Sequence, residues 1–317
     1  MFLFLTDLVQ LFPNYYGGLM KSIMAWLKAS RLQSQSYIFL PILFGQAYYV
    51  FQGHKLNWTI LVVMILFGLF DQLYIVFSND FADIETDCKN TTFTIFSGGS
   101  RVLVDGDLVP EQLKKASLNM AGLCVLCGII LTLVYQRMLA LPIVIIALGL
   151  LWMYNYPPVK LSYRGGGEIL QMLGVGLLLP LFGYYAQSGE LNGFPLTLLF
   201  VILPTQLASA MATSLSDEPS DRLCGKHTLT VLLESKVTKY SIIGLNIISI
   251  VVFPFVSWLP PGDIQIYMIL LIPVLASVSQ FFFINSNPGS LKLTIFIFLA
   301  VLITLSFMGG MAISLFC

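Results

Sequence analysis

Residues 58–80 read WTILVVMILFGLFDQLYIVFSND, and Asp71 is the only charged residue before Asp80 ends the stretch. A helix needs about 20 mostly apolar residues to cross a bilayer, so this segment predicts a transmembrane helix. Its apolar residues are continuous rather than alternating, which argues against a strand of a membrane β-barrel. We therefore expect a helical membrane protein.

Other stretches of the same kind bring the predicted spans to nine. Their ranges are 30–51, 58–80, 117–136, 139–157, 168–188, 194–216, 239–259, 264–285 and 292–315. The composition agrees, because 57% of the 317 residues are hydrophobic and 10% are charged, against about 25% charged in soluble domains. We expect an all-α, polytopic bundle of about nine transmembrane helices, with residues 1–21 as an N-terminal surface segment and residues 22–317 as the transmembrane domain.

The distribution of basic residues predicts the orientation. With the N-terminus in the cytoplasm, only Lys55 and Arg137 of the 16 lysines and arginines lie on the opposite side, which is the positive-inside pattern. The long charged loops 81–116 and 217–238 then face the cytoplasm, where we expect the active site. The net charge is zero, so nucleic-acid binding is not expected. We expect an integral protein of a bacterial cytoplasmic membrane, and the sequence predicts no oligomeric state.

Two acidic pairs lie where predicted helices leave the membrane. Asp83 and Asp87 follow the second span, Asp217 and Asp221 follow the sixth, and both members are offset by 134 residues. This offset predicts two pseudo-repeated four-helix halves. Pro219 argues against a regular helix at the second pair.

In a helix, Asn79, Asp83 and Asp87 lie on one face, whereas Asp80 points elsewhere. Crowded carboxylates repel each other unless cations compensate, and oxygen ligands at this density suit Mg²⁺. Because Mg²⁺ takes one or two carboxylates and completes its shell with water and phosphate, the pattern predicts two Mg²⁺ ions holding a diphosphate. The alternative is a solvated acidic loop.

Several residues on the same side are candidates for binding that diphosphate, and Tyr163 is a candidate for touching substrate. The cationic candidates are Arg31, Arg101, Lys160 and Lys226. Each cation alone also fits a residue that sets topology at the lipid headgroups, and Tyr163 also fits an interfacial aromatic belt.

Asp71 lies inside a predicted span, where an ionisable residue is a candidate for function. Two arrangements stay open from the sequence. The side chain faces the cavity of the bundle, or it pairs with a polar group such as Gln46 or Gln206.

The acidic segments resemble the two motifs of the UbiA superfamily of intramembrane prenyltransferases. The motif NDxxDxxxD is complete at Asn79, Asp80, Asp83 and Asp87, and DxxxD is complete at Asp217 and Asp221. GKHTL at 225–229 is similar to the family's GKxTL, and YPPVK at 156–160 is similar to YPxxK. YRGGGE at 163–168 looks like the YRGLGE of the menaquinone branch, whereas residues 213–217 read TSLSD where that branch has NNLRD.

The resemblance implies a Mg²⁺-dependent enzyme that transfers a polyprenyl chain from polyprenyl diphosphate to an aromatic acceptor in the membrane, closest to the 1,4-dihydroxy-2-naphthoate polyprenyltransferases of menaquinone-like quinone synthesis. Asn79, Asp83 and Asp87 would bind one Mg²⁺, and Asp217 and Asp221 the other. Asp83 and Asp217 would be catalytic, and Asp80 would make a secondary contact. The alternatives are another acceptor (4-hydroxybenzoate, homogentisate, a haem or chlorophyll precursor, or a phosphorylated sugar) and a cation-coupled transporter.

Overall fold

The computed structural model describes residues 13–260 and 262–316, and the regular secondary structure in these ranges is entirely helical. Residues 1–12 of the predicted surface segment lie outside this description. The α-helices are α1 Pro13–Ser30, α2 Ser36–Phe51, α3 Trp58–Ala82, α4 Ile84–Lys89, α5 Pro110–Leu133, α6 Ala140–Asn155, α7 Gly167–Ser188, α8 Leu199–Ser214, α9 Glu218–Leu223, α10 Leu229–Leu233, α11 Ser235–Val256, α12 Ile264–Phe282 and α13 Leu291–Ser314.

Seven of the described helices are long and apolar enough to cross a membrane: α3, α5, α7, the segment Leu196–Ser214 that contains α8, α11, α12 and α13. The prediction of an all-α integral membrane protein is therefore confirmed. The count of nine stays a prediction, since α2 and α6, which match predicted spans 30–51 and 139–157, have only 16 residues each.

Local geometry explains why these two helices are short. The backbone of Arg31 is left-handed, with φ +43°, and a 3₁₀ turn at Leu32–Gln35 separates α1 from α2. At the end of α6, Tyr156 precedes Pro157 and adopts an extended conformation, as the residue before a proline prefers to do. A hydropathy profile detects neither of these two backbone features.

The helices pack as a closed bundle. Helix α3 packs on α5, α2 on α7, α8 on α11, and α12 on α13, while α13 also contacts α2 and α8. Phe67, Phe182 and Cys124 are buried in one hydrophobic core cluster, and Phe253 and Phe307 are buried in another. Asn57 begins α3 by accepting hydrogen bonds from two backbone amides of its first turn, which satisfies donors that a helix start leaves free.

The two short helices α4 and α9 bring the acidic segments together. Each has six residues, each begins directly after an aspartate, and the two contact each other. The expectation that Pro219 prevents a regular helix is wrong, because it lies in the first turn of α9, where no backbone N–H is needed. The layout in two four-helix halves stays a prediction.

Candidate active site

A cavity of about 850 Å³, which we call the chamber, opens beside α4 and α9 and extends between the long helices. Its walls combine polar groups with apolar side chains such as Ile75, Leu150 and Val301. Eight of the residues singled out as metal or diphosphate ligands line it: Arg31, Asn79, Asp83, Asp87, Arg101, Asp217, Asp221 and Lys226. Two separate stretches of chain thus contribute carboxylates to one space.

The first acidic segment keeps its helical spacing through a change of helix. Helix α3 ends at Ala82, yet the amide of Asp83 donates to the carbonyl of Asn79 at 2.9 Å, and the amide of Asp87 donates to that of Asp83 at 2.8 Å. These i to i+4 bonds keep the three side chains on one stripe facing the chamber.

Asp80 has a different environment, behind the chamber wall. It is 3% exposed, pairs with the guanidinium of Arg31, and accepts bonds from the backbone amide of Ser100, at 3.2 Å, and from its hydroxyl. Asp80 therefore positions Arg31 and the loop around Ser100, and it does not line the chamber.

The loop after α4 holds the second acidic segment. The side-chain amide of Asn90 donates to Oδ1 of Asp217 at 2.6 Å, and the backbone N–H of Gly98 donates to Oδ2 of Asp217 at 3.2 Å. Asn90 was not predicted from the sequence as a site residue. Its only signal is that it follows Asp87 by three residues, on the chain that leaves the first motif.

Lys226 joins the two acidic segments. Its Nζ lies 3.0 Å from Oδ2 of Asp83 and 3.7 Å from Oδ1 of Asp221, and the residue is 8% exposed. Burial opposes the charged form, but Asp83 and Asp221 hold the pKa of Lys226 well above its usual value. Lys226 thus stays cationic between two carboxylates that repel each other.

Tyr163 and Lys160 are not among the residues that line the chamber, but they pack next to the acidic residues that do. The Tyr163 hydroxyl donates to Asp83 at 3.2 Å, and Nζ of Lys160 lies 3.5 Å from the centre of the Tyr163 ring. Tyr163 therefore contacts Asp83 directly, whereas Lys160 contacts the Tyr163 ring.

Three of the predicted cations have left-handed backbones, with φ +43° at Arg31, +63° at Arg101 and +42° at Lys160. Such a conformation costs a non-glycine residue about 1–3 kcal/mol. At Arg101 it directs the guanidinium back to the carbonyls of Asp87 and Asn90, at 3.3 and 3.4 Å. The side chain thereby ties the loop to the end of α4.

The donor set fits a hard divalent cation. Oδ1 of Asn79 and Oδ1 of Asp221 are buried without a hydrogen-bond partner among the described residues. Burial, and then Asp83 and Asp80, raise the pKa of Asp87 to about 8, as expected where carboxylates lie close together away from water. No three acidic, histidine or cysteine side chains of the described chain gather around one point.

Gly99 supplies a test of this geometry, because an added Cβ would lie 2.2 Å from Oδ2 of Asp87. We expect Gly99→Ala to displace that carboxylate, to raise the Mg²⁺ concentration for half-maximal activity at least fivefold, and to lower activity. Gly106→Ala is the matched control, since Gly106 has a similar φ, +73°, but open space at its Cβ. Equal Mg²⁺ requirements in both variants would contradict a specific role for Asp87.

Two further acidic residues line the chamber. Glu168 was not singled out from the sequence; its Oε1 accepts from the amide of Leu229 at 2.9 Å, while Oε2 is buried without a partner among the described residues. Asp71 also lines the chamber, and neither Gln46 nor Gln206 bonds to it within the described chain. The first of the two arrangements open for Asp71 is therefore the one observed.

Comparisons with known proteins agree with this architecture. A UbiA homologue from Aeropyrum pernix superposes with a TM-score of 0.65 at 12% identity, over 89% of this chain and 98% of that one. A UbiA homologue from Archaeoglobus fulgidus, bound to GPP and Mg²⁺, superposes with a TM-score of 0.58 at 15% identity, over 90% and 99%. At these identities the likeness concerns the fold.

Two curated relatives are both described as 1,4-dihydroxy-2-naphthoate octaprenyltransferase. The protein from Bacillus subtilis is 21% identical over 198 residues, 62% of each chain, so less than two thirds of that relative is spanned. The protein from Escherichia coli is 28% identical over 220 residues, 66% of this chain and 68% of that protein.

A family model also matches most of the chain. The model of the UbiA prenyltransferase family matches residues 38–302, a range that contains both acidic segments and all residues between them. The chain therefore belongs to the UbiA prenyltransferase family, and the prediction of a prenyltransferase is confirmed at the level of that family.

Proposed function

We propose that this protein transfers a polyprenyl chain from its diphosphate to an aromatic acceptor, in a Mg²⁺-dependent reaction of quinone synthesis. One observation carries the proposal: four motif aspartates from two distant segments line one chamber whose remaining wall is largely apolar. The diphosphate is the part of the donor that suits the polar end, and the isoprenoid tail suits the apolar walls. The names of the curated relatives support 1,4-dihydroxy-2-naphthoate as the acceptor.

In this proposal, Asn79, Asp83 and Asp87 hold one Mg²⁺, and Asp217 and Asp221 hold the other. Bound Mg²⁺ would supply the positive charge that a leaving diphosphate needs. The carboxylates themselves do not touch the diphosphate, because like charges repel. Their proposed role is to bind cations where the diphosphate will lie.

The cations of the chain complete the proposed diphosphate site. Lys226, Arg31 and Arg101 line the chamber, so their N–H groups can donate charge-assisted hydrogen bonds to phosphate oxygens. Lys160, stacked on Tyr163, acts in this proposal by positioning Tyr163. As the allylic C–O bond breaks, the diphosphate leaves and the acceptor ring carbon bonds to the prenyl carbon. The ring then loses a proton or, where that carbon carries a carboxyl group, carbon dioxide.

The apolar walls have a second role in the proposal. An allylic cation reacts with water unless water is excluded, and side chains such as Leu151, Val175 and Leu178 line the deeper chamber. In this proposal, these apolar side chains exclude water from the reacting carbon until the ring attacks. We further propose that the polar end faces the cytoplasm of a bacterial cell, as the positive-inside pattern indicates, and that α2 and α6 complete a nine-helix bundle.

The test is product formation by purified protein in detergent, with MgCl₂, geranyl diphosphate and a panel of acceptors analysed by mass spectrometry. We expect prenylated 1,4-dihydroxy-2-naphthoate, and no product when EDTA removes Mg²⁺. If only 4-hydroxybenzoate or homogentisate is prenylated, the proposed acceptor is wrong, whereas the proposed prenyl-transfer reaction is retained. A cation-coupled transporter would release no diphosphate in detergent, where no ion gradient exists.

A further inference from the structure

We propose that Asp71 binds a ring hydroxyl of the aromatic acceptor inside the chamber, an inference that rests on the function proposed above. Asp71 is 3% exposed, lines the chamber, and its Oδ1 has no hydrogen-bond partner among the described residues. A buried polar atom without a partner costs free energy. A ligand that donates a hydrogen bond to Oδ1 would remove that cost.

The position of Asp71 along α3 separates it from the metal end of the chamber. Asp71 precedes Asn79 by eight residues on one continuous helix, and a rise of 1.5 Å per residue places it about 12 Å deeper. At that depth its side chain cannot serve a diphosphate held beside Asn79. The separation leaves room for the first prenyl carbon and an aromatic ring between the two residues.

The surroundings of Asp71 favour a flat ring with a donor group over an isoprenoid tail. The neighbouring polar side chain, Gln72, already donates to the hydroxyl of Ser34. A hydrocarbon tail gains nothing from a carboxyl group, whereas a phenolic hydroxyl can donate to it.

The experiment measures binding rather than turnover. The probes are 1,4-dihydroxy-2-naphthoate and 2-naphthoate, which lacks both hydroxyls, each titrated into detergent-solubilised protein with Mg²⁺ and the unreactive analogue geranyl thiodiphosphate. We expect wild-type protein to prefer the dihydroxy probe at least tenfold, and Asp71→Leu to reduce this preference below threefold. Asp71→Asn keeps the side-chain size and should lower the preference at least threefold, because a neutral acceptor bonds less strongly than a carboxylate.

Gln46→Leu is the matched control, because Gln46 is equally buried within a helix but lies outside the chamber lining. It should leave the preference for the dihydroxy probe unchanged. An unchanged preference in Asp71→Leu, or a loss of geranyl thiodiphosphate affinity in that variant, would overturn the role of Asp71. If Asp71→Leu does not fold, the preference for the dihydroxy probe is compared between Asp71→Asn and the wild type instead.

The control titration separates this inference from the proposed function. Wild-type protein that binds geranyl thiodiphosphate with Mg²⁺ but does not distinguish the two naphthoates would overturn the role of Asp71 alone. Wild-type protein that does not bind geranyl thiodiphosphate would overturn the prenyl-transfer proposal, and the inference with it.

Discussion

Asp217→Asn is expected to lower the rate of prenyl transfer by about 10²–10³-fold, the scale on which one preorganised electrostatic group contributes to catalysis. The substitution keeps the size of the side chain and one acceptor oxygen for Asn90 or Gly98, so the fold should persist. It removes the negative charge that the proposed second Mg²⁺ site needs. Asp83→Asn should act in the same way on the first site.

The rate is measured with saturating geranyl diphosphate over a range of Mg²⁺ concentrations. Glu85→Gln is the control, because Glu85 is on α4 beside the first acidic pair but is exposed and pairs with Lys89. It should retain activity within about twofold, since exposed ion pairs contribute little. Activity near that of the wild type in both Asp217→Asn and Asp83→Asn would eliminate the two-metal proposal.

Lys226→Met should destabilise the protein strongly when Mg²⁺ is absent. The substitution removes the cation that, among the described residues, lies within 4 Å of both Asp83 and Asp221. Removing one partner from a buried ion pair costs about 3–5 kcal/mol, because the remaining charge stays buried without compensation. Added Mg²⁺ should restore part of this loss, since it would neutralise the same carboxylates.

Melting temperatures with EDTA and with MgCl₂ check this prediction, and we expect a larger gain from Mg²⁺ in Lys226→Met than in the wild type. Activity at saturating Mg²⁺ should still fall at least tenfold, because a proposed donor to the diphosphate is missing. Lys89→Met, which removes an exposed lysine from α4, is the control. A variant with normal activity in Mg²⁺ would limit Lys226 to a structural role.

The local pattern of the first acidic motif was predictable because it depends on helical periodicity. The spacing of Asn79, Asp83 and Asp87 predicts one shared face, and their backbone bonds keep it even where α3 ends. The same spacing directs Asp80 elsewhere, and it lies behind the chamber wall. Periodicity could not reveal its partner Ser100, because that contact depends on how the loop folds back.

Contacts made by loops were the part that the sequence could not predict. Asn90 and Gly98 bind Asp217, which lies more than a hundred residues later in the chain. The loop can approach Asp217 because Gly98 and Gly99 adopt positive φ angles. The side on which Asp71 lies was also open, because an almost uniformly apolar helix has no polar face to indicate its rotation. Only packing against neighbouring helices determines that rotation.

The left-handed backbones of Arg31 and Arg101 have a consequence for engineering this protein. Glycine or asparagine adopts that conformation more readily than arginine, so Arg101→Gly would relax the main chain at the cost of a guanidinium beside α4. A screen for heat resistance would tend to select such replacements. In the function proposed above, such variants would have lost a donor to the diphosphate, so selection of improved variants needs a turnover assay at every round.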